Sequence, residues 1–135
     1  MYERAEEIAR AAHAGQLRWD GSPYIGHPIR IAEAVSDDPD ARVVAILHDV
    51  VEDSDISLDD LRREFPAHIV AAVDAVSRRE DEIYREFIER AALDPLARRV
   101  KLADIEDHLR DLPAERASLR KRYERAKSVL EAMYE

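Results

Sequence analysis

The stretch ARVVAILHDVVED, Ala41 to Asp53, decides the fold and marks the site. Its apolar residues read as a core helix, interrupted by an adjacent His48-Asp49 pair that puts an imidazole and a carboxylate where only core is expected. On a continuous α-helix, neighbouring side chains lie about 100° apart, close enough to grip one ion from two directions. Glu52 and Asp53 stand at i+4 from His48 and Asp49, so a continuous helix places all four polar groups on one face. Ionisable groups beside Ala45, Ile46, Leu47, Val50 and Val51 carry a heavy desolvation cost unless a cation or proton compensates them.

Two further residues share this character. His27 lies upstream in Tyr-Ile-Gly-His-Pro, and Asp104 lies downstream in the apolar-flanked Val-Lys-Leu-Ala-Asp-Ile. Any one of them alone would be read as a packed or paired side chain. Together, His27, His48, Asp49 and Asp104 form a mixed nitrogen and oxygen set that suits a divalent transition ion such as manganese, iron or zinc. The chain has no cysteine, so a metal must be held by histidine and carboxylate, and disulfides are excluded.

The rest of the sequence sets the background. A length of 135 residues fits one domain, 1–135. Lys+Arg 21 against Asp+Glu 30 gives a net charge of −9, which argues against sequence-independent binding to duplex nucleic acid. A small anionic substrate is still compatible, because a metal and a few local arginines dominate the field inside a pocket. The charged start MYERAEEIAR has no apolar signal region and no stretch is long and apolar enough for a membrane span, so a cytoplasmic location is expected.

Apolar residues recur at helical spacing with no sustained alternation, which predicts an all-α chain. The expected helices run from Tyr2 to Ala14, stopping at Gly15; from His27-Pro28 to Val35; and from Asp38-Pro39 through the His-Asp pair. Ser57 with Asp60 gives a weak capping-box analogue ahead of Leu61 and Phe65. Further helices are expected over Pro66 to Val76, over Glu80 to Leu93, and from Asp94-Pro95 through Asp104. A last helix is expected from Pro113, packing through Leu119, Tyr123, Ala126, Val129, Leu130 and Met133.

Four blocks, taken in order, resemble the hydrolase domain of the RelA/SpoT family, and most of all its free-standing members, the small alarmone hydrolases. They are Ala11 to Arg18 (AAHAGQLR), Asp20 to Pro28 (DGSPYIGHP), Ala45 to Asp53 (AILHDVVED) and Val100 to Asp104 (VKLAD). The resemblance covers roughly residues 3–112. The His-Asp pair alone would indicate only the wider HD phosphohydrolase superfamily; the adjoining blocks make the match more specific. It implies a compact helical bundle with a metal site between its central helices. It also implies hydrolysis of the 3′-pyrophosphate of ppGpp and pppGpp with a manganese ion, releasing pyrophosphate and GDP or GTP.

On that resemblance, His27, His48, Asp49 and Asp104 match the metal ligands, and Glu52 and Asp53 match the acidic pair that handles the attacking water. Arg18 matches a basic residue at the phosphate end of the pocket, and Tyr24 lies in the loop that shapes it. Two positions depart from the family pattern. His108 stands where an asparagine is common one turn after Asp104, and is expected on the substrate side, bonding phosphate or water or adding a nitrogen ligand. Trp19 stands where a lysine usually follows the loop arginine, exchanging a charge for a stacking surface. Both leave the exact nucleotide open: another nucleotide substrate, or a non-catalytic nucleotide-binding or partner-binding domain, are the alternatives. Oligomeric state is not encoded in these features, and alarmone synthesis is not expected, since the family's synthetase is a separate domain.

Overall fold

Two aspartate-proline steps start the helices that carry the site. Helix α3 (Pro39–Leu47) opens where Asp38 Oδ1 accepts the N–H groups of Asp40 at 3.0 Å and Ala41 at 3.2 Å. Helix α8 (Pro95–Asp111) opens the same way, with Asp94 Oδ1 accepting from Leu96 at 2.9 Å and Ala97 at 3.1 Å. In each, the side chain satisfies N–H groups that the first turn leaves without an intrahelical partner, and proline occupies a position where a missing donor costs nothing.

The computed structural model describes residues 1–132, and among them every regular element is helical. Around α3 and α8 stand α1 (Tyr2–Ala12), α2 (Gly26–Ala34), α4 (Val50–Asp53), α5 (Leu58–Arg62), α6 (Ala67–Ala75), α7 (Tyr84–Ala92) and α9 (Ala117–Ala132). One apolar cluster joins α1, α2, α3 and α6 to the first half of α8 through Ala97 and Val100. A second joins α7 and α9 to the second half of α8 through Ile105. Fully buried side chains such as Ile31, Ile46, Leu47 and Ile105 are each worth about 1.5–3 kcal/mol relative to exposure. That packing offsets the cost of holding charged groups among them.

The all-α expectation is borne out; α1 ends at Ala12, short of the expected Ala14, and three further boundaries differ. The helix through His48-Asp49 is not continuous: α3 ends at Leu47, and α4 starts at Val50. The Ala45 carbonyl, which an unbroken helix would offer to the Asp49 N–H, instead accepts the His48 imidazole Nδ1–H at 2.7 Å and the His48 N–H at 3.4 Å. The histidine side chain thus takes the helical hydrogen bond and breaks the helix at the pair.

The helix expected from Glu80 begins at Tyr84, because Glu82 is drawn into a bidentate pair with Arg90 (2.8 and 2.9 Å) and also accepts the Arg79 N–H at 3.1 Å. Pro113 does not open the last helix. It sits in a turn, with the Arg116 N–H donating to its carbonyl at 3.0 Å, and α9 starts at Ala117. Tyr123, Ala126, Val129 and Leu130 pack as expected, while Met133 falls outside the described residues. The Ser57–Asp60 capping box is complete, with both reciprocal hydrogen bonds formed.

Candidate functional site

Asp104, buried on α8, is the hub of the site. Its Oδ1 faces three imidazoles: Nε2 of His27 at 2.8 Å, of His108 at 3.2 Å and of His48 at 3.6 Å. Its Oδ2 takes the ammonium of Lys101, one turn earlier on the same helix, at 2.8 Å. Asp49 completes the cluster, with Oδ2 at 3.0 Å from His48 Nε2 and accepting the Tyr24 hydroxyl. All four candidate ligands named from the sequence therefore meet in one place. They come from the start of α2, the α3–α4 junction and the middle of α8.

The tautomers are set by what lies behind the rings. His48 Nδ1–H is spent on the Ala45 carbonyl, so the neutral ring carries its lone pair on Nε2. That atom is buried without a hydrogen-bond partner and faces the carboxylates of Asp49 and Asp104. His27 presents Nδ1 to Asp107 Oδ2 at 2.6 Å and Nε2 to Asp104. Asp107 is in turn held by Arg30, Nε to Oδ1 at 3.0 Å and Nη2 to Oδ2 at 3.1 Å. A carboxylate behind a histidine that aims its other nitrogen into a cluster of acids is the arrangement by which proteins orient metal-binding imidazoles.

Charge tells the same story. Burial alone would lower the pKa of His48, but the carboxylates of Asp49 and Asp104 outweigh it and hold it well above the ordinary range. His27 shifts the same way: burial opposes, and its hydrogen bonds to Asp104 and Asp107 prevail. Asp104 lies well below its usual value, with burial overcome by the charges of Lys101 and His48. The site is thus a buried excess of negative charge that attracts either protons or a cation. Donors of both hard and borderline type converge on it, so the residues fit a divalent metal.

Glu52 and Asp53 part company at the end of α4. Glu52 Oε1 accepts the Arg78 backbone N–H, and its carboxyl is held above the usual value by partial desolvation, with Asp49 adding to the effect. Asp53 Oδ2 accepts from Gln16 Nε2 at 3.1 Å. Gln16 Oε1 takes Nδ1 of His13 at 2.8 Å, and the side chain of His13 is wholly buried with Nε2 unpaired. The two acids flank the cluster towards different neighbours, as adjacent side chains of one helical turn diverge by about 100°.

The loop between α1 and α2 closes one side. An antiparallel bridge between Leu17 and Pro23 pins it, and Gly21 takes a positive φ of 85° to make the turn. Extended backbone alternates its side chains, so Leu17 (62% exposed) and Trp19 (56%) point outward while the Arg18 side chain (5%) points in. Arg18 reaches α8 and donates from Nη1 to Asp111 Oδ2 at 3.2 Å. His108 is half-buried, its ring stacked on Tyr123 (5.2 Å between centroids, 7° between planes) and 4.5 Å from the ring of His27.

Asp107, Arg30, Lys101, His13, Gln16 and Asp111 were not singled out from sequence. Lys101 and Asp107 sit at i−3 and i+3 from Asp104 on α8, so helical periodicity around that aspartate was the available signal.

The HD domain family model matches residues 5–86. The chain belongs to the HD domain family. Among curated relatives of this HD domain is the guanosine-3′,5′-bis(diphosphate) 3′-pyrophosphohydrolase of Haemophilus influenzae, 36% identical over 92% of this chain and 20% of the relative. Another is a GTP pyrophosphokinase of Streptomyces coelicolor, 35% identical over 76% of this chain and 14% of the relative. A third is the bifunctional (p)ppGpp synthase/hydrolase SpoT of Escherichia coli, 31% identical over 87% and 19%. The chain thus spans a fifth or less of the length of these relatives. A solved structure of a metazoan ortholog of SpoT, described as hydrolysing ppGpp, aligns with TM-score 0.82 and 28% identity over 96% of this chain and 84% of that one. These likenesses bear out the resemblance to RelA/SpoT hydrolase domains, and with it the helical HD fold.

Proposed function

We propose that this chain is a metal-dependent pyrophosphohydrolase that removes the 3′-pyrophosphate of (p)ppGpp, yielding GDP or GTP and pyrophosphate. The observation that carries the reading is the convergence of the buried Nε2 atoms of His48 and His27 on the carboxylates of Asp49 and Asp104, in an HD domain whose relatives include named (p)ppGpp hydrolases. His27, His48, Asp49 and Asp104 are the proposed ligands, and manganese is the proposed ion. When bound, a divalent ion supplies Lewis-acid polarisation of a phosphoryl oxygen and eases deprotonation of water near neutral pH.

The chain's own residues divide the remaining work. Glu52, its carboxyl held above the usual value at the end of α4, accepts a proton from the attacking water, while Asp53, fixed by Gln16, orients that water. Tyr24 holds Asp49 in place through its hydroxyl. Arg18 gives one nitrogen to Asp111 and keeps further N–H groups for phosphate oxygens, and His108 stands on the substrate side of Asp104. The substrate is a small nucleotide and the proposed location is cytoplasmic; among the described residues no helix is long and apolar enough to cross a membrane.

The test is to incubate the manganese-loaded chain with ppGpp, other purine nucleotides and NADPH, and to identify products. GDP and pyrophosphate from ppGpp are expected; release from another nucleotide alone would reassign the substrate. The Glu52→Gln chain should keep its metal by elemental analysis and lose turnover by on the order of a hundredfold or more. Loss of the metal in that variant would make Glu52 a ligand instead.

A further inference from the structure

We propose that His108 is a fifth protein ligand to the ion, giving this chain a centre with three imidazole nitrogens and two carboxylates. The inference rests on the metal centre proposed above, and it assigns a role to the residue at which this chain departs from the asparagine that the family resemblance implies. His108 Nε2 lies 3.2 Å from Asp104 Oδ1, closer to that oxygen than His48 Nε2 at 3.6 Å. The ligand atoms of His27, Asp104 and His108 all fall within 4.8 Å of one another, as do those of His27, His48 and Asp49, and the two triads share His27. One ion near His27 and Asp104 is within reach of both.

The ring of His108 is also held in place. Its face lies parallel to the Tyr123 ring from α9, and its other neighbour is the His27 ring. A histidine serving only as a phosphate contact has no need of a ring aimed at Asp104 Oδ1, the oxygen that two further imidazoles already face. Asp104 is itself saturated from behind by Lys101 on Oδ2, so Oδ1 is its oxygen on the imidazole side. Replacing an asparagine by histidine at this point adds a borderline nitrogen donor. By ligand preference, a third imidazole shifts a mixed site away from manganese and towards zinc, cobalt, nickel and copper.

The experiment titrates the whole purified chain with Co²⁺ and, separately, with Mn²⁺, following heat and the cobalt absorption bands. His108→Asn and His108→Gln are compared with the unaltered chain. One Co²⁺ per chain is expected, bound at least about tenfold more weakly by both variants and with a changed visible spectrum, while Mn²⁺ affinity moves less. Circular dichroism confirms that each variant is folded, and the Gln variant covers a failure of the Asn one.

Unchanged Co²⁺ affinity and spectrum in folded variants would overturn the assignment. So would two Co²⁺ per chain with one lost on substitution, which would make His108 part of a separate site. A chain that takes up no Co²⁺ or Mn²⁺ overturns this proposal together with the metal centre. A chain that binds metal as expected but cleaves no alarmone refutes only the proposed substrate.

Discussion

At the level of single residues, what the sequence reveals is charge in the wrong surroundings. His48, Asp49 and Asp104 stand out because apolar neighbours make an ionisable side chain costly, and His27 because it sits at a Gly-His-Pro helix start. Asp107 gives no such signal, since it is flanked by polar residues in Ile-Glu-Asp-His and looks like part of a solvated face. Only the approach of α2 to α8 shows that it buries its carboxylate against His27 and Arg30. Asp107→Asn should therefore weaken metal binding about 10–100-fold without removing any proposed ligand, since the amide can no longer fix the His27 tautomer as strongly. Calorimetric titration with Mn²⁺ checks this; affinity within a factor of two of the unaltered chain would show that Asp107 serves only the Arg30 ion pair.

At the level of elements, local chemistry predicts starts and stops where the deciding contact is near in sequence. Asp38-Pro39, Asp94-Pro95 and Ser57–Asp60 behave as caps because each acts on N–H groups two or three residues ahead. The helix break at His48-Asp49 was not legible, because it turns on one imidazole choosing the Ala45 carbonyl. Nor was the late start of α7, because Glu82 answers to Arg90, a helix face away.

That pair gives a pH prediction. Hydrogen bonds from Arg90 hold the Glu82 carboxyl at about 2, below its ordinary value of 4.5, despite some burial. With the folded value depressed, its contribution to stability is complete above about pH 4.5 and fades as pH falls towards 2. Glu82→Gln should lower the melting temperature at pH 7, and the gap to the unaltered chain should close as pH drops from 4.5 to 2.5. A gap independent of pH over that interval would assign the loss to packing of the side chain, with no part for its charge.

At the level of the molecule, α8 is the seam. Its first half packs with α1, α2, α3 and α6, its second with α7 and α9, and the charged cluster lies where the two apolar clusters meet along it. The proposed ligands come from α2, the α3–α4 junction and α8, elements linked by the chain only through long excursions. A cation there ties them together in the folded chain and finds no such arrangement in the unfolded one, so binding energy becomes folding energy. At free Mn²⁺ a hundredfold above its dissociation constant, the gain is about 2.7 kcal/mol. For a chain of this length that raises the melting temperature by on the order of 10 °C. Chelation should reverse the rise. In Asp49→Ala the manganese-dependent rise should largely vanish. Scanning calorimetry with and without Mn²⁺ decides the matter: an equal rise in both chains would place the stabilising ion elsewhere than among His27, His48, Asp49 and Asp104.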